Sequence, residues 1–392
     1  SIVSTMPSSL IIWLNKHHEE LCGDNVEVVR NGDSTIVVLA DGLGSGVKAN
    51  ILSKLTAKIL ATLMTNGFPM EEAVETIVDT LPVCRERDIA YSTFSILQLH
   101  HDGSGYLAEF DNPAMFRLRK GRVLPLDSQT REISGKRIRE SRFEVAPGDL
   151  FVLVSDGVIH AGVGQSLNLG WQWEHVADYL QKTWRGDLSA KTVSKLLISV
   201  CDGLYAGVPG DDTTVVSILA RKPVSLSVLV GPPVQAEEDT QVVREFLMRE
   251  GPHVVCGGTT SQIVARELGA EVETQFDYVN PAIPPIAKIR GIDLATEGVL
   301  TLRKTLEQLQ ACLADGSSMQ AYLALGNRDG ASRLAKMLLE DCTDVCFWVG
   351  RAMNPAHQNP DFPLNLGLKL KLVEEIAGTL RQAGKQVDVR YH

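Results

Sequence analysis

Four aspartates stand where strands are expected to end: Asp24, Asp41, Asp156 and Asp211. Asp41 closes the apolar run Val37-Val38-Leu39-Ala40 and leads into the glycine-rich turn Gly42-Leu43-Gly44-Ser45-Gly46. Asp156 repeats the pattern, ending Leu150-Phe151-Val152-Leu153-Val154-Ser155 and preceding Gly157. Asp24 follows Gly23, and Asp211 opens Asp211-Asp212-Thr213-Thr214 behind a loop carrying Gly207, Pro209 and Gly210. Carboxylates gathered at one sheet edge repel and raise one another's pKa unless cations neutralise them. Oxygen-only ligands, with the Gly42 carbonyl beside Asp41, suit magnesium or manganese rather than zinc. Two such ions acidify a water, orient it in line and stabilise charge on phosphoryl oxygens, which is chemistry for hydrolysing a phosphate ester.

The elements that must position these groups follow from local pattern. Val26 to Arg30 alternates, Asn31-Gly32-Asp33 is a hairpin signal, and Thr35 to Ala40 returns as a buried strand. That hairpin brings Asp24 near Asp41, although Asp24 taken singly serves equally well as a turn former. Ile51, Leu52, Leu55, Ile59, Leu60 and Leu63 recur at helical spacing from Val47 to Met64, and Glu71 to Leu81 forms a second amphipathic helix. Core packing accounts for their apolar spacing. A meander of strands follows over Thr93–Leu99, Tyr106–Phe110 and Ala114–Arg119, with Asp111-Asn112-Pro113 as a turn. The charged run Arg131 to Arg142 reads as a solvated loop or face. Leu10 to Leu14 fits a strand or a helix.

Gly23-Asp24-Asn25, Ala40-Asp41-Gly42-Leu43-Gly44-Ser45-Gly46, Ser155-Asp156-Gly157 and Gly210-Asp211-Asp212-Thr213-Thr214 resemble the ordered metal motifs of type 2C (PPM) serine/threonine phosphatases. The Asp-Gly-x-Gly-x-Gly form, with a helix directly behind it, resembles the bacterial branch that includes the sporulation phosphatase SpoIIE. The likeness runs over about residues 15–222 and implies an αββα sandwich holding two Mn²⁺ or Mg²⁺ ions. It implies that Asp41 bridges both ions and the Gly42 carbonyl holds one, that Asp156 and Asp211 hold one, and that Asp24 contributes near the other or to a weaker outer site. Asp212 is the lesser candidate of its pair, and Thr213-Thr214 should begin a strand. The implied activity is hydrolysis of phosphoserine or phosphothreonine by a bimetal-activated water. The implied partner is a phosphoprotein, such as an anti-sigma-factor antagonist in bacterial signalling. A phosphate-binding arginine ahead of the first metal aspartate has no counterpart here; Arg30, Arg85 and Arg87 are basic candidates that nothing in the sequence separates.

Beyond Lys222 the pattern changes. Strands at Ser225–Val230, His253–Cys256, Val345–Val349 and Gln386–Val389 alternate with helices at Asp239–Arg249, Gln262–Leu268, Val299–Leu313, Ala331–Leu339 and Leu366–Leu380. Such alternation implies a Rossmann-like α/β domain with a largely parallel sheet over 223–392, regulatory or ligand-binding, behind a phosphatase domain over 1–222. Gly257-Gly258-Thr259-Thr260-Ser261 feeds a helix N-terminus, where free N–H groups and the helix dipole suit an anion such as a phosphorylated metabolite. N-capping by Thr259 or Ser261 is the competing explanation. Asp293 to Gly298 reads as another polar turn before a helix.

Composition narrows the class. A hydrophobic content of 44% and a charged content of 22% are those of a soluble globular protein. The net charge of −10 argues against non-specific nucleic-acid binding and against docking on an anionic membrane. No run of about 18 apolar residues is present, and the first residues lack the basic and apolar regions of a signal peptide. Seven scattered cysteines without a Cys-x-x-Cys point to a reducing cytoplasm and no structural disulfide. The metabolite-sensing alternative, with the phosphatase domain regulated or idle, is open on sequence, as is oligomerisation.

Overall fold

The computed structural model describes residues 9–17, 23–31, 34–42, 46–80, 83–84, 89–90, 92–163, 166–184, 190–206, 212–274, 286–314, 319–352, 364–383 and 385–392. The chain divides into two units, Ser1–Lys222 and Pro223–His392. In the first unit the described elements begin with β1 (Ser9–His17), β2 (Asp24–Asn31), β3 (Ser34–Gly42), α1 (Gly46–Thr65), α2 (Met70–Thr80), β4 (Val83–Cys84) and β5 (Ile89–Ala90). They continue with β6 (Ser92–His100), β7 (Ser104–Phe110), β8 (Phe116–Arg119), β9 (Arg122–Val123), β10 (Ser128–Ile133), β11 (Lys136–Glu144) and β12 (Leu150–Val154). Three helices, α3 (Asp156–Ile159), α4 (Trp173–Thr183) and α5 (Ala190–Leu204), precede β13 (Thr213–Arg221).

Two antiparallel sheets result, ordered β1-β13-β12-β8-β9 and β10-β11-β7-β6-β3-β2. Successive side chains of a strand point to opposite faces, and fully apolar strands therefore build two cores at once. On β12, Phe151 and Leu153 pack between the sheets with Val37, Leu39, Leu97 and Ile218. Leu150, Val152 and Val154 pack outward with Val176, Leu180, Val193 and Leu197 of the helices. On β3, Ile36, Val38 and Ala40 face Leu60, Met64, Val74 and Ile77 of α1 and α2. Burying each large side chain contributes about 1.5–3 kcal/mol, so both sheets are held from both faces. This is the αββα layering expected from the resemblance.

In this unit two expectations change and one open reading is resolved. Arg131 to Arg142 is mostly strand, not a solvated loop: β10 pairs with β11 through a turn whose Ser134 and Gly135 have positive φ (50° and 77°). Its apolar members Ile133 and Ile138 are buried, and its arginines bind α2 through Arg131–Glu75 and Arg142–Glu71. The helical stripe of α1 is only partly core. Ala57, Leu60 and Met64 are buried, whereas Val47, Ile51 and Leu55 are 58%, 55% and 53% exposed. Leu10 to Leu14 is strand, antiparallel to β13.

In the second unit, β14 (Ser225–Val230), α6 (Asp239–Met248), β15 (His253–Cys256), α7 (Gly258–Leu268), β16 (Val272–Thr274), β17 (Ala287–Ile289) and β18 (Leu294–Thr296) come first. Then follow α8 (Val299–Leu313), α9 (Met319–Leu323), α10 (Gly330–Leu339), β19 (Asp344–Val349), α11 (Leu364–Gln382) and β20 (Gln386–Tyr391). The sheet order is β16-β17-β18-β15-β14-β19-β20. The five strands from β18 to β20 are mutually parallel, and β16 and β17 extend one edge antiparallel. Leu294 to Thr296, read as a polar turn, is instead the buried strand β18 beside β15. Cys201, Cys256, Cys312, Cys342 and Cys346 are buried and form no disulfide among the described residues. Among the described residues no helix is long and apolar enough to cross a membrane.

Candidate metal centre

The layer between the two sheets is apolar along most of its length and turns polar at one end. Register sets this. Val26 opposes Leu39 and Asp24 opposes Asp41 on β2 and β3, while Leu39 opposes Ser95 and Asp41 opposes Thr93 on β3 and β6. Side chains two residues apart share a face, so Asp24, Asp41, Thr93 and Ser95 continue the inward face of Val37, Leu39 and Leu97. Thr214, two residues before inward-facing Val216, approaches from the other sheet.

Asp24 is the deepest of these carboxylates, 1% exposed. Its Oδ2 accepts a 2.7 Å hydrogen bond from Thr214 Oγ1, and its buried Oδ1 has no partner among the described residues. Burial pushes its pKa up to about 6, the Asp212 charge adds to the rise, and the hydroxyl of Thr214 with the nearby Asp41 and Ser155 side chains offsets part of it. Ser155 ties the second sheet into the same corner. Its Oγ accepts from Thr214 N (2.9 Å) and donates to Asp212 O (3.2 Å). Asp212 Oδ2 accepts from Gly23 N (2.6 Å), and Gly42 N donates to Gly23 O (2.9 Å). The backbone before Asp24 is thereby fixed to the backbone after Asp41. Glycine is required at that approach, because a Cβ on Gly42 would collide with the Ala49 carbonyl of α1.

Asp41 and Asp156 are both half-buried. Asp156 is the first residue of the short helix α3, directly after Ser155, and Tyr205 Oη anchors that helix by donating to Gly157 O at 2.7 Å. The structure thus brings Asp24, Asp41 and Asp212 to one end of the sandwich, with Asp156 adjoining Ser155 in the same corner. Asp211 lies outside the described residues, as do Leu43 to Ser45 of the glycine-rich turn and Arg85 and Arg87. Among the described residues no three His, Cys, Asp or Glu side chains stand together as a metal-holding group. Thr213 and Thr214 do open β13.

Two polar residues were missed in the sequence. Thr93 Oγ1, opposite Asp41, is buried without a hydrogen-bond partner among the described residues. Asn112 donates from Nδ2 to Ser95 Oγ (2.7 Å) and lies 3.5 Å from Val154 O, linking both sheets, while its Oδ1 is buried and unpartnered. The available signal was parity for Thr93, which is in step with inward Leu97 and Leu99. Asn112 offered only its place before a strand-breaking proline.

The donor set fits a hard cation: a buried Asp24 oxygen without a hydrogen-bond partner among the described residues faces a second carboxylate in direct cross-strand register, with neutral oxygens of Thr93 and Asn112 close by in the same layer.

Residues 31–221 match the family model of stage II sporulation protein E (SpoIIE). That match falls within the first unit, where the four motifs lie, and accords with the layering of its two sheets and their helices. The SpoIIE match begins after Asp24 and takes in Asp41, Asp156 and Asp211. Among solved structures, the chain is similar to the PP2C phosphatase domain with a regulatory-domain fragment of SpoIIE from Bacillus subtilis, with TM-score 0.47 and 19% identity over 54% of this chain and 62% of that one. It is also similar to the RsbU and RsbW domains of a Mycobacterium tuberculosis protein, with TM-score 0.45 and 16% identity over 62% and 69%. A third, RsbX in complex with magnesium, has TM-score 0.40 and 18% identity over 54% and 94%. The chain therefore spans less than two thirds of the SpoIIE chain it aligns with. No curated protein matches.

The second stretch singled out in the sequence sits at the carboxyl end of β15. Gly257, at φ 117°, is the N-cap of α7 and donates from its N to Thr296 O (2.8 Å). Gly257 holds the N-cap position without a side-chain cap, so neither Thr259 nor Ser261 is the N-cap considered for this helix. Gly258 and Thr259 are exposed, and Thr260 and Ser261 are buried.

Proposed function

We propose that the first unit is a metal-dependent protein serine/threonine phosphatase. The observation that carries this reading is the register of Asp24 against Asp41 at the polar end of the sandwich, with a buried carboxylate oxygen left unpartnered, in a chain whose residues 31–221 match the SpoIIE model. Asp24, Asp41, Asp156 and Asp211 with the Gly42 carbonyl would hold two Mn²⁺ or Mg²⁺ ions, whose oxygen preference suits this set. When bound, the ions supply an acidified water and neutralise charge on the phosphoryl oxygens. The protein's own residues do the positioning. Thr214 fixes the Asp24 carboxylate, Asp212 and Gly23 fix the backbone on either side of the pair, and Ser155 couples both to the strand end carrying Asp156.

The substrate class is a phosphoserine or phosphothreonine protein. An anti-sigma-factor antagonist or a similar bacterial signalling protein in the cytoplasm is the specific candidate, by analogy with the SpoIIE branch. The second unit is proposed as a Rossmann-like regulatory or ligand-binding domain, supported by its parallel strand order. Hydrolysis of p-nitrophenyl phosphate by the full chain tests the central claim. Turnover is expected with manganese, is lost on chelation and returns on re-addition. A wild-type chain with no manganese-dependent turnover against either this ester or phosphopeptides overturns it.

A further inference from the structure

In chain order the five parallel strands of the second unit are β14, β15, β18, β19 and β20, and in space they run β18-β15-β14-β19-β20. Read across the sheet this is 3-2-1-4-5. The chain leaves β14 toward one side and re-enters at β19 on the other. In open parallel sheets the connections after such a pair of strands diverge to opposite faces, and ligands bind in the crevice above their carboxyl ends. Here that place is marked by two glycines, Gly231 directly after β14 and Gly350 directly after β19. Gly231 has φ 76°, and Gly350 N donates to Val230 O at 2.8 Å. A Cβ on Gly350 would strike the Pro232 carbonyl, and one on Gly231 would strike Lys369 Nζ.

Lys369 reaches this point from α11. Its Nζ donates to Gly350 O at 2.6 Å, which is its one hydrogen-bond partner among the described residues. No carboxylate lies within ion-pairing distance of it among those residues, in contrast to Lys371, two residues along and 72% exposed, which pairs with Glu375 at 3.8 Å. A half-buried ammonium with one acceptor for three donors and no counter-charge among the described residues is costly to keep. Burial lowers its pKa to about 8, so at neutral pH it still carries its charge.

The neighbouring corner is less suited to an anion than its glycines suggested. The N-termini of α7, α8 and α10 gather near Thr296, but Asp329 caps α10 there, accepting from Ser332 N at 2.9 Å, and so places a carboxylate beside them. At Lys369, by contrast, no carboxylate among the described residues lies within ion-pairing distance.

We propose that the carboxyl ends of β14 and β19 form an anion-binding site in which Lys369 receives the phosphate or carboxylate of a small metabolite, with Gly231 and Gly350 letting the two chain turns and the lysine come together there. The compact ammonium acts as a point-charge receptor for an oxyanion. The site does not rest on the phosphatase reading of the first unit.

Its test reads Lys369 directly. The full chain is pulsed with an uncharged acetylating ester, and acetylation of Lys369 and Lys371 is followed by peptide mass spectrometry in chloride, inorganic phosphate or malonate at matched ionic strength. Phosphate or malonate is expected to slow Lys369 by about fivefold or more as it saturates, with Lys371 unchanged. Protection by phosphate alone assigns a phosphorylated ligand, and protection by malonate alone assigns a carboxylate. Equal rates in all three salts overturn the proposal, as does a Lys369 that never reacts, because an amine closed to the ester is closed to the ligand. Lys369→Met should remove any phosphate- or malonate-induced rise in the melting temperature of the second unit, and retention of that rise in the variant also counts against it.

Discussion

The two units put their chemistry at strand ends, but the direction of the strands decides its sign. In the first, an antiparallel hairpin sets the start of β2 against the end of β3, so Asp24 meets Asp41 and like charges are forced together. In the second, parallel strands bring successive carboxyl ends to one edge, where turns lead into helices and a lysine from α11 overlies two glycines. One edge gathers carboxylates and the other presents an ammonium. Each holds a buried ionisable group displaced toward its neutral form: Asp24 up to about 6 and Lys369 down to about 8, both chiefly by burial.

Breaking the acidic edge should have the largest effect. Asp41→Ala is expected to lower manganese-dependent turnover by about 1000-fold, since metal ions supply several kcal/mol of transition-state stabilisation. Steady-state hydrolysis of p-nitrophenyl phosphate measures this, and a loss below tenfold would remove Asp41 from the centre. The close approaches should fail next. Gly42→Ala drives a methyl into the Ala49 carbonyl, and Gly350→Ala drives one into the Pro232 carbonyl. Each should cost about 3 kcal/mol in its own unit, read as a shift of one melting transition with the other unmoved.

Asn112 sharpens the comparison at smaller scale. Removing the link between Ser95 and the β12 end in Asn112→Ala should reduce turnover about tenfold, within the range for residues behind metal ligands. Manganese affinity, measured by calorimetry, separates this positioning role from general loss of fold. The smallest effect concerns pH. Lys369 titrates near 8 in the folded chain against an ordinary 10.5. Between those values the unfolded chain binds more protons, so stability rises with pH through that window, and the penalty stands in full below about 8. Relative to Lys369→Met, the wild-type should gain about 2 kcal/mol across it after screening by solvent. Urea titrations of the full chain at each pH test the slope, and parallel curves would show that the amine is not held off its ordinary pKa.

What was legible in the sequence was what alternation and turn chemistry encode. The β2–β3 hairpin, the twice-buried β12 and the parallel alternation after Lys222 all follow from apolar runs bounded by glycine, asparagine and aspartate. The β10–β11 hairpin was hidden because its face toward α2 is held by arginine–glutamate pairs, and charge at such positions reads as solvent. Only Ile133 and Ile138 flanking Ser134-Gly135 announced it. β18 was too short, at Leu294 to Thr296, to separate from a capping turn. At the candidate centre, aspartates at strand ends were visible, whereas Thr93 and Asn112 were not. Their significance depends on which face of β6 meets the other sheet, and that is a property of packing rather than of spacing.

The pairing of β2 with β3 has a consequence for how this chain tolerates change. The ladder closes between Asn31 and Ser34 and runs in unbroken step to Asp24 and Asp41 at its far end. Because strand side chains alternate, one inserted or deleted residue anywhere along it would turn an aspartate from the inner face to the outer. Single substitutions along β2 leave this register intact, whereas changes of length do not. The hairpin serves as a ruler: the distance in residues from its turn to each aspartate is what the fold holds constant.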